Sequence, residues 1–144
     1  FDGHRKCGVS LSPVEAERLG GICPVCGKKL TMGVDHRVEQ LADREEGFVK
    51  KDGKKYESLV PLPEVVAACM GYSTASKKVQ GCFEQMMQTL GTEFDILRNV
   101  PAEDIKSCAG ERIAEGIENV RTGNVKRIPG YDGEYGKIQL FDEN

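Results

Sequence analysis

His4-Arg5-Lys6-Cys7 and Cys23-Pro24-Val25-Cys26 constrain this chain more than any other feature: two pairs of soft metal-ligand residues with the same two-residue gap, fifteen residues apart. A tetrahedral zinc site takes four thiolate or imidazole ligands, and two ligands on one turn need about two to four residues between them. Both pairs satisfy that rule. Gly27, directly after the second pair, frees the backbone so that amides can turn toward the sulfurs. The spacing predicts a metal site made of His4, Cys7, Cys23 and Cys26. Four protein ligands leave no open coordination position, so the expected zinc is structural and not catalytic. Its binding free energy, on the order of 10–16 kcal/mol in small zinc modules, would fold a segment otherwise short of core.

Two other readings compete. A redox CxxC sits at a helix start after a strand in a thioredoxin-like pattern, and no such pattern surrounds Cys23 and Cys26. His36, ten residues past Cys26, is a rival fourth ligand. It shares a helical face with Glu39 and Gln40, which favours an exposed polar contact over ligation. The other three cysteines, Cys69, Cys82 and Cys108, fall on the apolar faces of helical patterns, where cysteine acts as a small hydrophobe. A metal-type set beside unpaired core cysteines points to a reducing, cytoplasmic setting.

The chain has 144 residues, room for one domain or a small module plus a medium one. With 39% hydrophobic and 30% charged residues and no apolar run near the ~20 that a membrane helix needs, a membrane span is excluded. It opens on Phe1-Asp2-Gly3 without a signal-peptide pattern, which reads as part of a longer protein. The net charge of −3 is not the strongly basic balance of a dedicated nucleic-acid protein. Basic residues nevertheless recur as local pairs: Lys28-Lys29, Lys50-Lys51, Lys54-Lys55, Lys77-Lys78 and Lys126-Arg127.

Organisation follows from punctuation and period. Residues 1–47, rich in Gly, Cys and charge, form the expected zinc-binding module, knuckle or treble-clef-like. Inside it Ser12-Pro13-Val14-Glu15 has the form of a capping box with proline at the first helical position. Val34, Val38, Leu41 and Ala42 share one helical stripe. Residues 48–58 read as an exposed linker. Residues 59–144 read as a helical bundle with a short C-terminal β tail. Leu62, Val65, Val66, Cys69 and Met70 make an apolar stripe ended by Gly71, and Val79, Cys82, Phe83, Met86, Met87 and Leu90 repeat it from about residue 73. Pro101 starts a further helix up to Gly110, and Ile113, Ile117 and Val120 carry the last, ended by Gly123. The expected fold class is mainly α with a small zinc module.

No catalytic constellation is visible. There is no GxSxG, no P-loop lysine motif, and two histidines cannot furnish a polynuclear metal centre. Pro129-Gly130-Tyr131-Asp132-Gly133-Glu134-Tyr135-Gly136 reads either as a plain turn or as a glycine loop able to cradle phosphate. Tyr131 and Tyr135 could stack on bases or pack against the last helix.

The stretches GHRKCGVSLSP, GICPVCGKKLTMGVDHRVEQLADRE and EGIENVRTGNVKRIPGYDGEYGKIQLF resemble the region behind the catalytic domain in endonuclease Q and its relatives, which have also been called PHP-domain proteins and UvrD-like helicases. The resemblance covers nearly the whole chain. It implies a metal-dependent DNA repair nuclease that nicks 5′ to deaminated bases, with hydrolysis in a PHP domain not found here. This chain would then supply the zinc-binding and helical regions that hold DNA and the lesion, and would not itself be catalytic. A helicase motor has no support without a P-loop. In such a protein the damaged base is extruded into a pocket, and residues 30–37 are the candidate lining. Thr31, Gly33, His36 and Arg37 would make contacts there, and Arg5, Lys6, Lys28, Lys29 and Arg37 would meet phosphates. The expected partners are DNA, with or without a deaminated base, and the PHP domain, with no membrane. The alternative is a zinc-stabilised protein-interaction module.

Overall fold

The computed structural model of the chain describes residues 1–141, and it divides into two compact units. Among the described residues the first comprises 1–55 and 127–137, the second 56–126 and 138–141. The first unit is therefore discontinuous in sequence. Residues 127–137, expected with the helical region, fall instead in the unit that holds the cysteine pairs.

In the first unit, β1 (Asp2–His4) pairs antiparallel with β2 (Val9–Leu11), the two joined by one 3₁₀ turn over Arg5–Cys7. Gly8, at φ 64°, supplies the left-handed residue that reverses the chain between them. This hairpin has no sequence signal of its own: three-residue strands are too short to show alternation. Helix α1 (Pro13–Arg18) starts on the predicted capping box, with the Ser12 hydroxyl accepting from the Glu15 amide and the Glu15 carboxylate accepting from the Ser12 amide. A small core of Val9, Ala16, Cys23 and Leu30 lies beneath. Helix α2 (Val34–Leu41) buries none of its residues. Its apolar stripe is in solvent, with Val34 80% and Leu41 64% exposed.

The second unit is helical: α3 (Leu62–Met70), α4 (Lys77–Leu90), α5 (Glu93–Arg98), α6 (Ala102–Ala109) and α7 (Glu111–Thr122). The predicted stripes of α3 and α7 are buried: Leu62, Val65, Val66, Cys69 and Ile113, Ile117, Val120 meet Val79, Met86, Ile96, Leu97 and Ile105. Burying a large aliphatic side chain gives about 1.5–3 kcal/mol, so this cluster is the main stabilising term of the unit. Helix α4 begins at Lys77, later than the periodicity suggested, because the Ser76 hydroxyl accepts from the Val79 amide and fixes the start there. Two arginines of α7 tie helix ends together. Arg121 donates to the carbonyls of Leu97, Ile96 and Val100 at 3.0, 2.7 and 2.7 Å, and Arg112 Nε donates to the Cys69 carbonyl at 3.0 Å. The Ile96, Leu97 and Cys69 carbonyls are orphans of helix C-termini and require a donor, and that of Val100 lies in the connection between α5 and α6.

Strands β3 (Lys126–Ile128) and β4 (Lys137–Gln139) pair at the base of the last hairpin. Among the described residues no helix is long and apolar enough to cross a membrane.

Candidate metal centre and adjoining cleft

The first unit brings the two sequence pairs together. The ligand atoms of His4, Cys7, Cys23 and Cys26 all lie within 4.8 Å of one another. Edges of a zinc–thiolate tetrahedron are roughly 3.8 Å, from metal–sulfur bonds of about 2.3 Å. The cluster, with three sulfurs and one imidazole nitrogen, fits a metal ion of that kind. His4 presents Nδ1, 3.2 Å from Cys26 Sγ.

Local chain geometry explains the convergence. His4 ends β1 and Cys7 ends the 3₁₀ turn, so one tight reversal delivers both. On the other side, the Cys23 amide donates to the Lys28 carbonyl at 2.7 Å and the Gly27 amide to the Cys23 carbonyl at 2.9 Å, which closes the knuckle over Cys23 and Cys26. Gly27 takes φ 70°, the left-handed conformation this reversal needs. The thiols are electrostatically unequal. Burial works against the Cys23 thiolate, but the amides of Cys26 and Val25 and the side chains of His4 and Cys26 outweigh it, bringing its pKa down to about 6. Burial, together with hydrogen bonding to Cys26 and Cys23, pushes Cys7 up to about 11. Both orders express one fact: several thiols crowd a small volume and share hydrogen bonds, which a cation would relieve.

Beside the cluster a cleft of about 360 Å³ opens between residues 31–35 and 130–134. It joins two of the three segments that carried the sequence resemblance. Asp132-Gly133 makes a tight turn with positive φ at both residues, 43° and 80°, closed by Tyr131 and Glu134 amides donating to each other's carbonyls at 3.1 and 2.7 Å. That turn is anchored to β1 and the 3₁₀ turn. The Arg5 amide donates to Asp132 Oδ2 at 2.7 Å, and Arg5 Nε lies 2.6 Å from Glu134 Oε1. Thr31, then the Arg5 amide, hold the Asp132 carboxyl below the usual range. Gly3 is needed here, since a Cβ would collide with the Tyr131 ring and come within 2.6 Å of the Val9 carbonyl.

The candidate contact residues are distributed unevenly. Thr31 and Gly33 line the cleft. His36 is not an exposed polar residue: its Nδ1 lies 2.7 Å from Oδ2 of Asp2, a fully buried carboxylate. Asp2 was not read from the sequence, because a carboxylate two residues before a metal ligand has no pattern to distinguish it. Arg37 bonds Gln40 at 3.1 Å, and Arg5 is engaged with Glu134. Lys6, Lys28 and Lys29 are exposed. No lysine or arginine lines the cleft, whereas Asp35, Asp132 and Glu134 do. Such a lining suits a neutral group with hydrogen-bond donors and repels a phosphate.

The fold of this chain also occurs in solved structures of endonucleases. The chain superposes on the lesion-specific endonuclease PfuEndoQ from Pyrococcus furiosus with a TM-score of 0.83 at 31% identity, over 99% of this chain and 35% of that one. A structure of endonuclease Q in complex with a 27-mer duplex carrying an abasic lesion at the active site gives 0.81 at 30% identity, with the same coverage. Residues 61–124, from α3 to α7, match the MJ0043 C-terminal domain. Over 94% of its length the chain is 33% identical to the uncharacterised protein MJ0043 of Methanocaldococcus jannaschii, and over 81% it is 30% identical to the uncharacterised protein YqxK of Bacillus subtilis. It spans 17% and 27% of those two relatives.

Proposed function

We propose that this chain is the zinc-stapled, DNA-binding and lesion-contacting region of an endonuclease Q-type repair nuclease. The observation that carries this reading is the agreement with two endonuclease Q structures over 99% of the chain, one of them bound to a damaged duplex. His4, Cys7, Cys23 and Cys26 would hold a structural zinc, which fixes the two turns and leaves no position for chemistry. An extruded base would enter the cleft between residues 31–35 and 130–134, whose carboxylates and lack of lysine and arginine suit an uncharged heterocycle. Lys6, Lys28, Lys29 and Arg37 would grip phosphates from outside it. Hydrolysis 5′ to a deaminated base would fall to a PHP domain elsewhere in such a protein.

The test is binding of the zinc-loaded chain to duplexes containing deoxyinosine, an abasic analogue or no lesion, at low and moderate salt. Preference for either lesion is expected, with affinity falling steeply with salt. Absence of binding at low salt would overturn the reading. A second reading, a protein-interaction module, is favoured by one observation: the solvent-exposed stripe Val34, Val38, Leu41 on α2.

A further inference from the structure

Resting on the DNA-binding reading above, we infer that the loop Lys50-Lys51-Asp52-Gly53-Lys54-Lys55 is a separate grip for the DNA phosphate backbone, distinct from the metal knuckle and the cleft. Four of the chain's twelve lysines fall in these six residues. With one aspartate among them the loop carries 4 − 1 = +3 in a chain of net −3. The Gly53 amide donates to the Lys50 carbonyl at 2.9 Å, so the chain reverses between the two lysine pairs and both flank one tip. All six residues are exposed.

A run of lysines is ordinarily a solvated face. Two observations separate this one from that default. Elsewhere some of the cations have found carboxylates, Arg5 with Glu134 and Arg98 with Glu57 at 2.6 Å, Lys106 with Glu111 at 2.8 Å, and Arg121 with Glu118 at 3.5 Å, and no other six residues of the chain gather four lysines. None of the four loop lysines is paired with a described carboxylate, although Glu45 and Glu46 are close in sequence. Beside the loop, Phe48 and Val49 are 59% and 83% exposed, and the Arg44 guanidinium lies over the Phe48 ring at 4.8 Å. Unpaired cations beside an exposed aromatic ring are the composition of a groove that tracks nucleic-acid backbone. Ammonium groups meeting phosphates release counterions and read no sequence. The loop therefore contributes affinity and salt dependence, and no lesion preference.

The experiment compares the zinc-loaded chain with a variant carrying Lys50→Gln, Lys51→Gln, Lys54→Gln and Lys55→Gln, and with the corresponding four Lys→Arg changes. Binding to an abasic-analogue duplex and to its intact counterpart is measured across a salt series, and lysine acylation is mapped by mass spectrometry with and without DNA. The Gln variant should lower the slope of log K against log salt by about 3.6, from the ~0.9 expected for each of four phosphate contacts. The ratio of abasic to intact affinity should not change, the Arg variant should retain the slope, and DNA should protect the four lysines. An unchanged slope in the Gln variant, with the wild type still binding, overturns the loop and leaves the DNA-binding reading standing. A wild type that does not bind at low salt overturns both. Tighter association with phosphatidylserine vesicles than with duplex overturns the choice of DNA as the polyanion.

Discussion

Asp2 and His36 form a buried carboxylate–imidazole pair at 2.7 Å, and the same carboxylate accepts from the Gly33 amide through its other oxygen, also at 2.7 Å. Gly33 is the N-cap of α2 and His36 its third residue. In an ordinary capping box the third helical side chain reaches back to the N-cap amide. Here a carboxylate from β1 stands between them and satisfies both. One strand residue thereby fixes the start of α2 and the cleft segment before it.

Replacing Asp2 tests that arrangement. Asp2→Ala leaves the half-buried Gly33 amide and the His36 imidazole without their carboxylate partner, at a cost of up to about 1–3 kcal/mol for each group left unsatisfied. Asp2→Asn keeps an acceptor for Gly33 and should lose about half as much. Denaturant unfolding of the zinc-loaded chain, followed by a probe in the first unit, measures both. Equal stability of wild type and Asp2→Ala would refute the role assigned to the pair.

The metal cluster predicts one zinc per chain by elemental analysis. Cys23→Ser should abolish stoichiometric binding and unfold the first unit, while α3–α7 keep their far-ultraviolet signal, because their core is formed by different residues. His4→Ala should weaken zinc by more than the ~10–100-fold that outer-shell changes cost. Full affinity in His4→Ala would remove His4 from the ligand set. Acidification should release the metal, since protons compete for the thiolates.

A pH effect independent of metal is expected from Asp95. The Thr92 hydroxyl, the Asn99 amide and the Thr92 backbone cap hold its carboxyl below the usual range. A depressed folded value means that the stabilisation is present above the unfolded pKa of about 3.9 and is lost as pH falls through the lower folded one. The difference in unfolding midpoint between wild type and Asp95→Asn should therefore be constant at neutral pH and close below about pH 4. A difference that widened on acidification would contradict the assignment.

Gly116→Ala should destabilise the helical unit, although alanine is by about 1 kcal/mol the better helix former. A Cβ at 116 would lie 2.5 Å from Cys69 Sγ, where α7 meets α3. Overpacking of this kind costs about 1–3 kcal/mol. Pairing it with Cys69→Ala should recover most of the loss in a double-mutant cycle, and a strictly additive pair would place the strain elsewhere.

Much of this was legible along the chain. Ser12 and Glu15 named the start of α1, Gly71, Gly110 and Gly123 marked the ends of three helices, and the ligand spacing placed four side chains in one volume. These are local signals, carried by residues a few positions apart. What escaped depends on partners far away in sequence. Asp2 meets His36 across 34 residues, and Arg5 meets Asp132 across 127. The stripe on α2 was visible as a pattern, but amphipathic period reports only that a face is apolar. It does not report whether the unit that carries the face covers it, and here Val34, Val38 and Leu41 are uncovered.

The discontinuity of the first unit has a consequence for how the protein is made and cut. Because residues 127–137 complete a unit that begins at Phe1, its last piece leaves the ribosome after all of α3–α7. The candidate ligands His4, Cys7, Cys23 and Cys26 are synthesised first, yet the turn that packs on Gly3 and binds Arg5 arrives last. A stop codon after Lys126 would leave the ligand set intact while stripping Asp132 from Arg5 and opening one wall of the cleft. A gene fragment ending near residue 55, the obvious place to clone the metal module alone, would carry the same defect.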